Sequence, residues 1–417
     1  MAKSSVRDVV IIGGGVIGVC TAYELAKGGV QVMLIEQQEI ASGSSYGNGG
    51  LIVPSHSVPL AAPGVPMQGL KWMLNPESPF YIKPHFDLEF IEWMTRFAFA
   101  SRHGPMMRAI PILRDMLLAS RAIYDDLAAH AGFDFNYEHK GTLMVYLTPH
   151  GLEGGVEEAQ LVGQFGVQTK VLNSAELREC EPALHADILG GIHYLQDAHL
   201  DPAHFVTGLA EKAKTLGVHI LTKTEVLGFE AANSRIAHIR TTRGDFSAEQ
   251  VILSAGAWSP AVARDLKIKL PIQAAKGYSI TLTRPQISPK IPLMFGEAHI
   301  VVTPLGEQLR LAGTLELAGM DLSINQRRVA AIHRASAHYL ADINDGKVIE
   351  IWRGLRPCTP DGLPVIGRSE AYDNLIVATG HAMLGMSLGP ITGKLVSQLV
   401  TGERAEIELS PLRLDRF

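Results

Sequence analysis

The apolar run Val9-Val10-Ile11-Ile12 followed by Gly13-Gly14-Gly15-Val16-Ile17-Gly18 leaves the amino-terminal part of this chain few folds to choose from. A short β-branched run reads as a buried strand, and glycines at the first, third and sixth positions after it read as a tight turn into a helix. Gly13 permits the turn, Gly15 lets backbone approach a pyrophosphate, and Gly18 lets the helix pack on the strand. Val16 and Ile17 begin that helix. The next strand, Val32-Met33-Leu34-Ile35, ends at Glu36, 18 residues after Gly18, with Gln37 beside it. A carboxylate there can accept from both ribose hydroxyls. Strand, glycine turn, helix and acid together predict a dinucleotide site. The acid disfavours a 2′-phosphate, since two negative charges would meet.

Which dinucleotide is decided further along the chain. Glycine-bearing apolar segments recur at Ser254-Ala255-Gly256-Ala257-Trp258 and at 379–393, far from the first fingerprint. A cofactor held from both ends of so long a chain is large, extended and permanently bound. FAD fits that better than NAD.

At 417 residues the chain suits two domains, interleaved or sequential. Hydrophobic residues make up 47% and charged residues 19%, ample for a core. A net charge of −5 without a basic run gives no reason to expect nucleic acid. Cys20, Cys180 and Cys358 have no CxxC spacing, so a disulfide framework is not expected and a reducing cytoplasm is the default. Lys3 and Arg7 ahead of Val9–Ala22 superficially resemble a secretory leader. Asp8 interrupts that pattern, and cleavage would remove the fingerprint. Residues 40–70 carry no Asp, Glu, Lys or Arg, yet glycine, proline and serine punctuate them, which reads as a functional loop rather than a membrane helix. No HExxH occurs, and His193, His199 and His204 lack a metal spacing, so no metal is expected.

Helical periodicity runs over 86–102 and 108–132. Phe86, Phe90, Trp93 and Phe97 form an aromatic stripe, read as helix packing, with peripheral contact to a membrane surface as the alternative. Thr142–Leu147 reads as a strand, and Asp201-Pro202 as an N-cap with proline at N1 opening a helix over 202–216. Strands follow at 218–229, 235–242 and 250–255. Alternation over 276–283, 299–303 and 308–315 predicts an antiparallel sheet, followed by a helix at 325–341, a strand at 374–378 and a helix at 387–401. The expected class is α/β, with a Rossmann-like FAD-binding domain interleaved with an α+β substrate domain carrying the antiparallel sheet. The first would take 1–60, 200–260 and 355–417, the second 61–199 and 261–354.

On these motifs the chain resembles the FAD-dependent D-amino-acid oxidase superfamily, which includes glycine oxidase and sarcosine oxidase. The resemblance rests on Gly13–Gly18 with Glu36, the loop Ser42–Leu51, the run Gly354-Leu355-Arg356-Pro357-Cys358-Thr359-Pro360-Asp361-Gly362, and Ala378-Thr379-Gly380-His381 with Gly385-Met386. Gly69-Leu70-Lys71-Trp72-Met73-Leu74, Ser78–Pro84 and Lys276-Gly277-Tyr278-Ser279 add a likeness to the small-subunit family of bacterial D-amino-acid dehydrogenases. The resemblance implies FAD contacts at Ser42, Gly43, Ser44, Ser45, Asn48, Gly49, Gly50 and Leu51. It implies others at Val226, Ala255, Gly256, Trp258, Gly354, Gly380, Leu384, Gly385, Met386 and Ser387. The amides that open the helix after Gly385 would stabilise charge on a reduced flavin. Sarcosine oxidases tether flavin through a cysteine five residues before the Thr-Pro-Asp motif. Gly354 stands there in this chain, so the FAD is expected to be non-covalent.

Arg356 matches the family arginine that grips a substrate carboxylate, which a planar guanidinium does bidentately. Pairing with Asp361 is its structural alternative. Tyr278 is implied as a second carboxylate or lid contact, with a buried core tyrosine as the alternative. Arg353 reads as structural, and His56 and His381 as modulators at most. No side-chain base is required when a neutral amine's lone pair assists hydride departure from the α-carbon to flavin N5. The expected reaction is oxidative deamination of a D-amino or imino acid, giving a 2-oxo acid or a cyclic imine. Where sarcosine oxidases carry a lysine after Gly-His, this chain has Ala382-Met383-Leu384-Gly385, so a quinone or another non-oxygen acceptor is expected. The expected location is cytoplasmic, with the inner-membrane periphery as the alternative that a quinone acceptor implies. A glycine- or sarcosine-type oxidase using O2, or a non-catalytic flavin-bearing subunit, are the rival readings.

Overall fold

A computed structural model describes residues 7–72, 77–83 and 87–417. Met73, Leu74, Pro84 and Phe86 of the motifs above lie outside the described residues, as does Lys3.

Strands Val365–Arg368, Leu375–Thr379, Ala248–Leu253, Arg7–Ile12, Val32–Ile35 and His219–Leu221 form a six-stranded sheet in that spatial order. Only its first pair is antiparallel. Val9–Ile12, Val32–Ile35 and Val251–Leu253 are apolar and buried, as a parallel sheet covered on both faces requires. Helices Val16–Lys27, Pro202–Thr215 and Gly385–Thr401 cover one face. The antiparallel meander Val226–Ala232, Arg235–Thr241, Gly244–Phe246 covers the other with Ala263 and Leu266. The Gly13 turn has φ +112°, and a Cβ there would stand 2.5 Å from Ser254 O. A Cβ on Gly18 would stand 1.9 Å from Gly13 O, so glycine is what lets the first helix sit on this turn.

The second sheet has nine strands, and near one edge Gln273–Thr283 pairs with Gln308–Leu317 on one side and with the edge strand Val348–Cys358 on the other. Tyr278, Ile280, Leu309 and Leu311 pack from it against Val329 and Ile332 of the helix Gln326–Ser336. The antiparallel sheet expected at 276–315 is therefore present.

Several sequence expectations are corrected. The strand expected over 218–229 is two strands in different sheets, His219–Leu221 and Val226–Ala232, separated by a turn at positive-φ Lys223. The helix His103–His130, placed by sequence in the second domain, packs Leu113, Met116, Leu117 and Tyr124 into the core of the first. Its apolar stripe matches the helices beside the parallel sheet, a partner choice that periodicity cannot reveal. The strand Val348–Cys358 runs through the 354/355 boundary unbroken. Phe90, Trp93 and Phe97 are buried, and Trp93 Nε1 donates to Cys358 O at 3.0 Å, so these three rings face the protein interior. Among the described residues no helix is long and apolar enough to cross a membrane.

Candidate functional site

A cavity lies between the carboxyl ends of the parallel strands and one face of the second sheet, where doubly wound folds bind ligands. It collects most of the residues singled out from sequence. Gly13, Gly15, Val16, Ile17, Glu36 and Gln37 line it from the amino-terminal unit, and Ser42, Gly43, Ser44, Ser45, Asn48 and Gly49 from the loop that follows. Val226, Ala255, Gly256 and Trp258 line it, with Tyr278, Gly354 and Arg356 from the second sheet and Gly385 and Met386 from the last helix.

Gly18, Gly50, Leu51, Gly380, Leu384 and Ser387 do not line it. They act one layer back. Ser387 Oγ donates to Leu51 O at 2.9 Å and accepts from Val53 N at 3.2 Å, tying the last helix to the loop. Gly50 and Gly380 make positive-φ turns, and Leu384 packs into the first core at the start of the last helix.

The first segment fits an extended dinucleotide. A Cβ on Gly15 would meet only Ser45 Oγ, at 3.4 Å, and Ser45 Oγ accepts from Val16 N at 3.0 Å. Glu36 accepts from Gly14 N at 2.6 Å and from Gln38 N at 2.8 Å, so its carboxylate also braces the glycine turn. Ser44 Oγ donates to Leu355 O, joining the loop to the second sheet. The helix Gly385–Thr401 begins without a side-chain cap, and its first residues border the cavity.

A family model described as FAD dependent oxidoreductase matches residues 8–399. This chain belongs to that family of FAD-dependent oxidoreductases. The D-amino acid dehydrogenases of Rhizorhabdus wittichii and Granulibacter bethesdensis are both 32% identical to it over 422 residues, 98% of this chain and 100% and 99% of theirs. Among solved structures, glycine oxidase from Geobacillus kaustophilus superposes with a TM-score of 0.81 at 24% identity, covering 99% of each chain. L-proline dehydrogenase from P. horikoshii superposes with 0.80 at 21% identity, covering 99% of this chain and 98% of that one. At these identities the two structures speak for the fold.

In this FAD-dependent oxidoreductase Arg353 and Arg356 both border the cavity from the second sheet, and Arg356 lies on the same face as Trp352. Arg356 Nη1 donates to Thr314 O at 2.8 Å, and burial lowers its pKa. Asp361 instead pairs with Arg416 at 2.8 Å, so the structural alternative for Arg356 falls away. Tyr278 borders the cavity as well, but from the other face of the sheet. It stands opposite Arg353 in the strand pairing, whereas Arg356 stands opposite Ala275, so the period-two pleat sends the two side chains to opposite faces. Tyr278 is 1% exposed, packs into the second core, and its hydroxyl accepts from Asn325 N at 3.3 Å. Arg353 Nε donates to Leu322 O at 3.0 Å, a structural role.

His381 borders the cavity with Nε2 3.0 Å from Thr392 Oγ1, and burial pushes its pKa down to about 3. It is neutral at ordinary pH. His56 lies outside the cavity beside Ser55. Sequence reasoning missed Trp352, whose ring covers Gly47 and Gly354: a Cβ on either glycine would stand 2.0 Å from it. Alternation along Trp352-Arg353-Gly354-Leu355-Arg356 was the available signal, since it puts Trp352 and Arg356 on one face. No group of metal-binding side chains occurs among the described residues.

Proposed function

We propose that this enzyme oxidises a D-amino or imino acid at its α-carbon, yielding an imine that water hydrolyses to a 2-oxo acid or that persists as a cyclic imine. Electrons pass to a quinone or another non-oxygen acceptor. One observation carries the reading: Arg356, a half-buried guanidinium, opens on the cavity and forms no salt bridge with a carboxylate among the described residues. A substrate carboxylate completes it. The relatives' printed name supports the amino-acid class.

FAD, held without a covalent bond by the lining residues above, supplies two-electron acceptance from the substrate. The chain's own part is positional. Arg356 anchors the carboxylate, and Trp352 walls the same face of the sheet. Neither His381, held neutral, nor Tyr278, facing the other core, supplies a base. The amine therefore enters unprotonated, its lone pair assisting the bond cleavage.

The test is a panel of amino and imino acids, both enantiomers included, run with a phenazine or quinone dye and with O2. D-substrates with dye should turn over fastest. Rapid stoichiometric peroxide formation in air would make the enzyme an oxidase. Exclusive use of L-substrates would overturn the stereochemical assignment. A flavin-loaded chain inert to every substrate would favour a non-catalytic subunit.

A further inference from the structure

Arg310, on the strand Gln308–Leu317, is 4% exposed and forms no salt bridge among the described residues. Its Nη1 donates to Tyr46 O at 3.0 Å and to Asn48 O at 3.1 Å, and its Nε to Thr281 Oγ1 at 3.3 Å. Burial lowers its pKa, opposed by the more distant charges of Asp201 and Glu350. Placing a cation in the interior is costly unless something compensates it, and backbone carbonyls do so only in part.

The two carbonyls belong to the loop that lines the cavity. In a planar trans peptide, C=O and the following N–H point in opposite directions. With the Tyr46 and Asn48 carbonyls turned toward Arg310, the Gly47 and Gly49 amides are turned away from it. Gly47 and Gly49 both border the cavity, and neither N–H has an acceptor among the described residues. The polar groups next to these two amides are partnered. Thr303 Oγ1 donates to Gly49 O at 2.6 Å, Gly50 N donates to Asn48 Oδ1 at 2.8 Å, and Asn48 N donates to Ser45 O at 3.3 Å. Unpartnered Gly47 and Gly49 amides bordering the cavity imply an acceptor on the ligand.

We propose that Arg310 is a positioning residue for the flavin: it holds the Tyr46 and Asn48 carbonyls so that the Gly47 and Gly49 amides stand ready as donors to the cofactor. Its own buried charge then favours the more electron-rich, reduced form over the oxidised one. The inference rests on FAD occupying this cavity.

The test reconstitutes Arg310→Met and Arg310→Lys proteins with FAD, then measures FAD dissociation and the two-electron midpoint potential by titration against reference dyes. In Arg310→Met, FAD should bind at least about tenfold more weakly, as expected when a bond to a charged group is lost. Its potential should fall by about 30 mV or more, the equivalent of a tenfold change for two electrons. Arg310→Lys keeps the charge but cannot hold both carbonyls in the same geometry. It should weaken FAD binding while holding the potential close to native. Native binding and potential in a folded Arg310→Met protein would overturn the proposal. Should that variant fail to fold, native FAD affinity in Arg310→Lys overturns it equally. Wild-type protein that binds FAD but oxidises no amino acid would sink the proposed function and leave this inference standing.

Discussion

Gly277 lies under the guanidinium of Arg356, where a Cβ would stand 2.1 Å from Nη1. The two residues sit on adjacent paired strands, with Gly277 opposite Gly354 and Ala275 opposite Arg356. A side chain at 277 would displace the far end of a flexible arginine rather than backbone. We therefore expect Gly277→Ala to fold and retain FAD while pushing the guanidinium off Thr314 O. A displacement of about 1 Å can cost on the order of 10²-fold. Steady-state kcat/KM with the flavin absorbance recorded alongside checks this, and native kinetics would show that Arg356 is not the anchor.

Arg356→Ala should cost more. Leaving a buried charge without its partner costs about 3–5 kcal/mol, which converts to roughly 10²- to 10³-fold or more in kcat/KM. FAD should stay bound. Near-native efficiency on every substrate in the panel would place the carboxylate grip elsewhere.

The cofactor should leave with acid. Gly354 cannot form a thioether, and burial pushes the Cys358 thiol up to about 12, far from a reactive thiolate. Acid precipitation should release a yellow supernatant, whereas flavin retained in the pellet would reveal a covalent link.

Glu36 is braced by the Gly14 and Gln38 amides and borders the cavity. Replacing it with lysine puts a cation where amides and ribose hydroxyls need an acceptor, and we expect FAD affinity to drop at least about tenfold. Fluorescence titration of the apoprotein checks this, and unchanged affinity would remove Glu36 from the site.

Acid and base should act on stability in opposite senses at three buried histidines and a buried aspartate. Burial lowers His56 and His199 to about 4 and His381 to about 3. Their contribution is present above the unfolded value near 6.5 and is lost as pH falls through these lower values. Asp197, 0% exposed with Oδ2 2.7 Å from Ser55 Oγ, is raised by burial to about 7. Its contribution is present below the unfolded carboxylate value and is lost as pH rises through about 7. Asp197→Asn imitates the protonated acid. Melting curves should show the two converging as pH falls toward 3 and the variant exceeding wild type above pH 8 by on the order of a few kcal/mol. A stability difference independent of pH would mean that Asp197 is ionised throughout.

The dinucleotide half was largely legible. The Val9–Ile12 strand, the turn to Gly18 and Glu36 form a contiguous unit whose spacing carries its geometry, and Asp201-Pro202 opens its helix as expected, with Asp201 accepting from His204 N at 3.0 Å. The second sheet was legible as alternation but not as faces. Tyr278 and Arg356 read as partners because sequence does not give register between strands that lie far apart in the chain. A one-residue offset in pairing reverses which face a side chain takes.

Sequence by itself determined the nucleotide fingerprint, the absence of a cysteine at position 354 and the segment carrying Arg356. Each depends on residue identity or on local spacing. Tertiary structure decided which helix joins which core, put Tyr278 and Arg356 on opposite faces of the sheet, brought Trp352 over Gly47 and set Arg310 on the carbonyls of the loop at 46–48. Those relationships join residues hundreds of positions apart, and they exist only once strand register and sheet packing are in place.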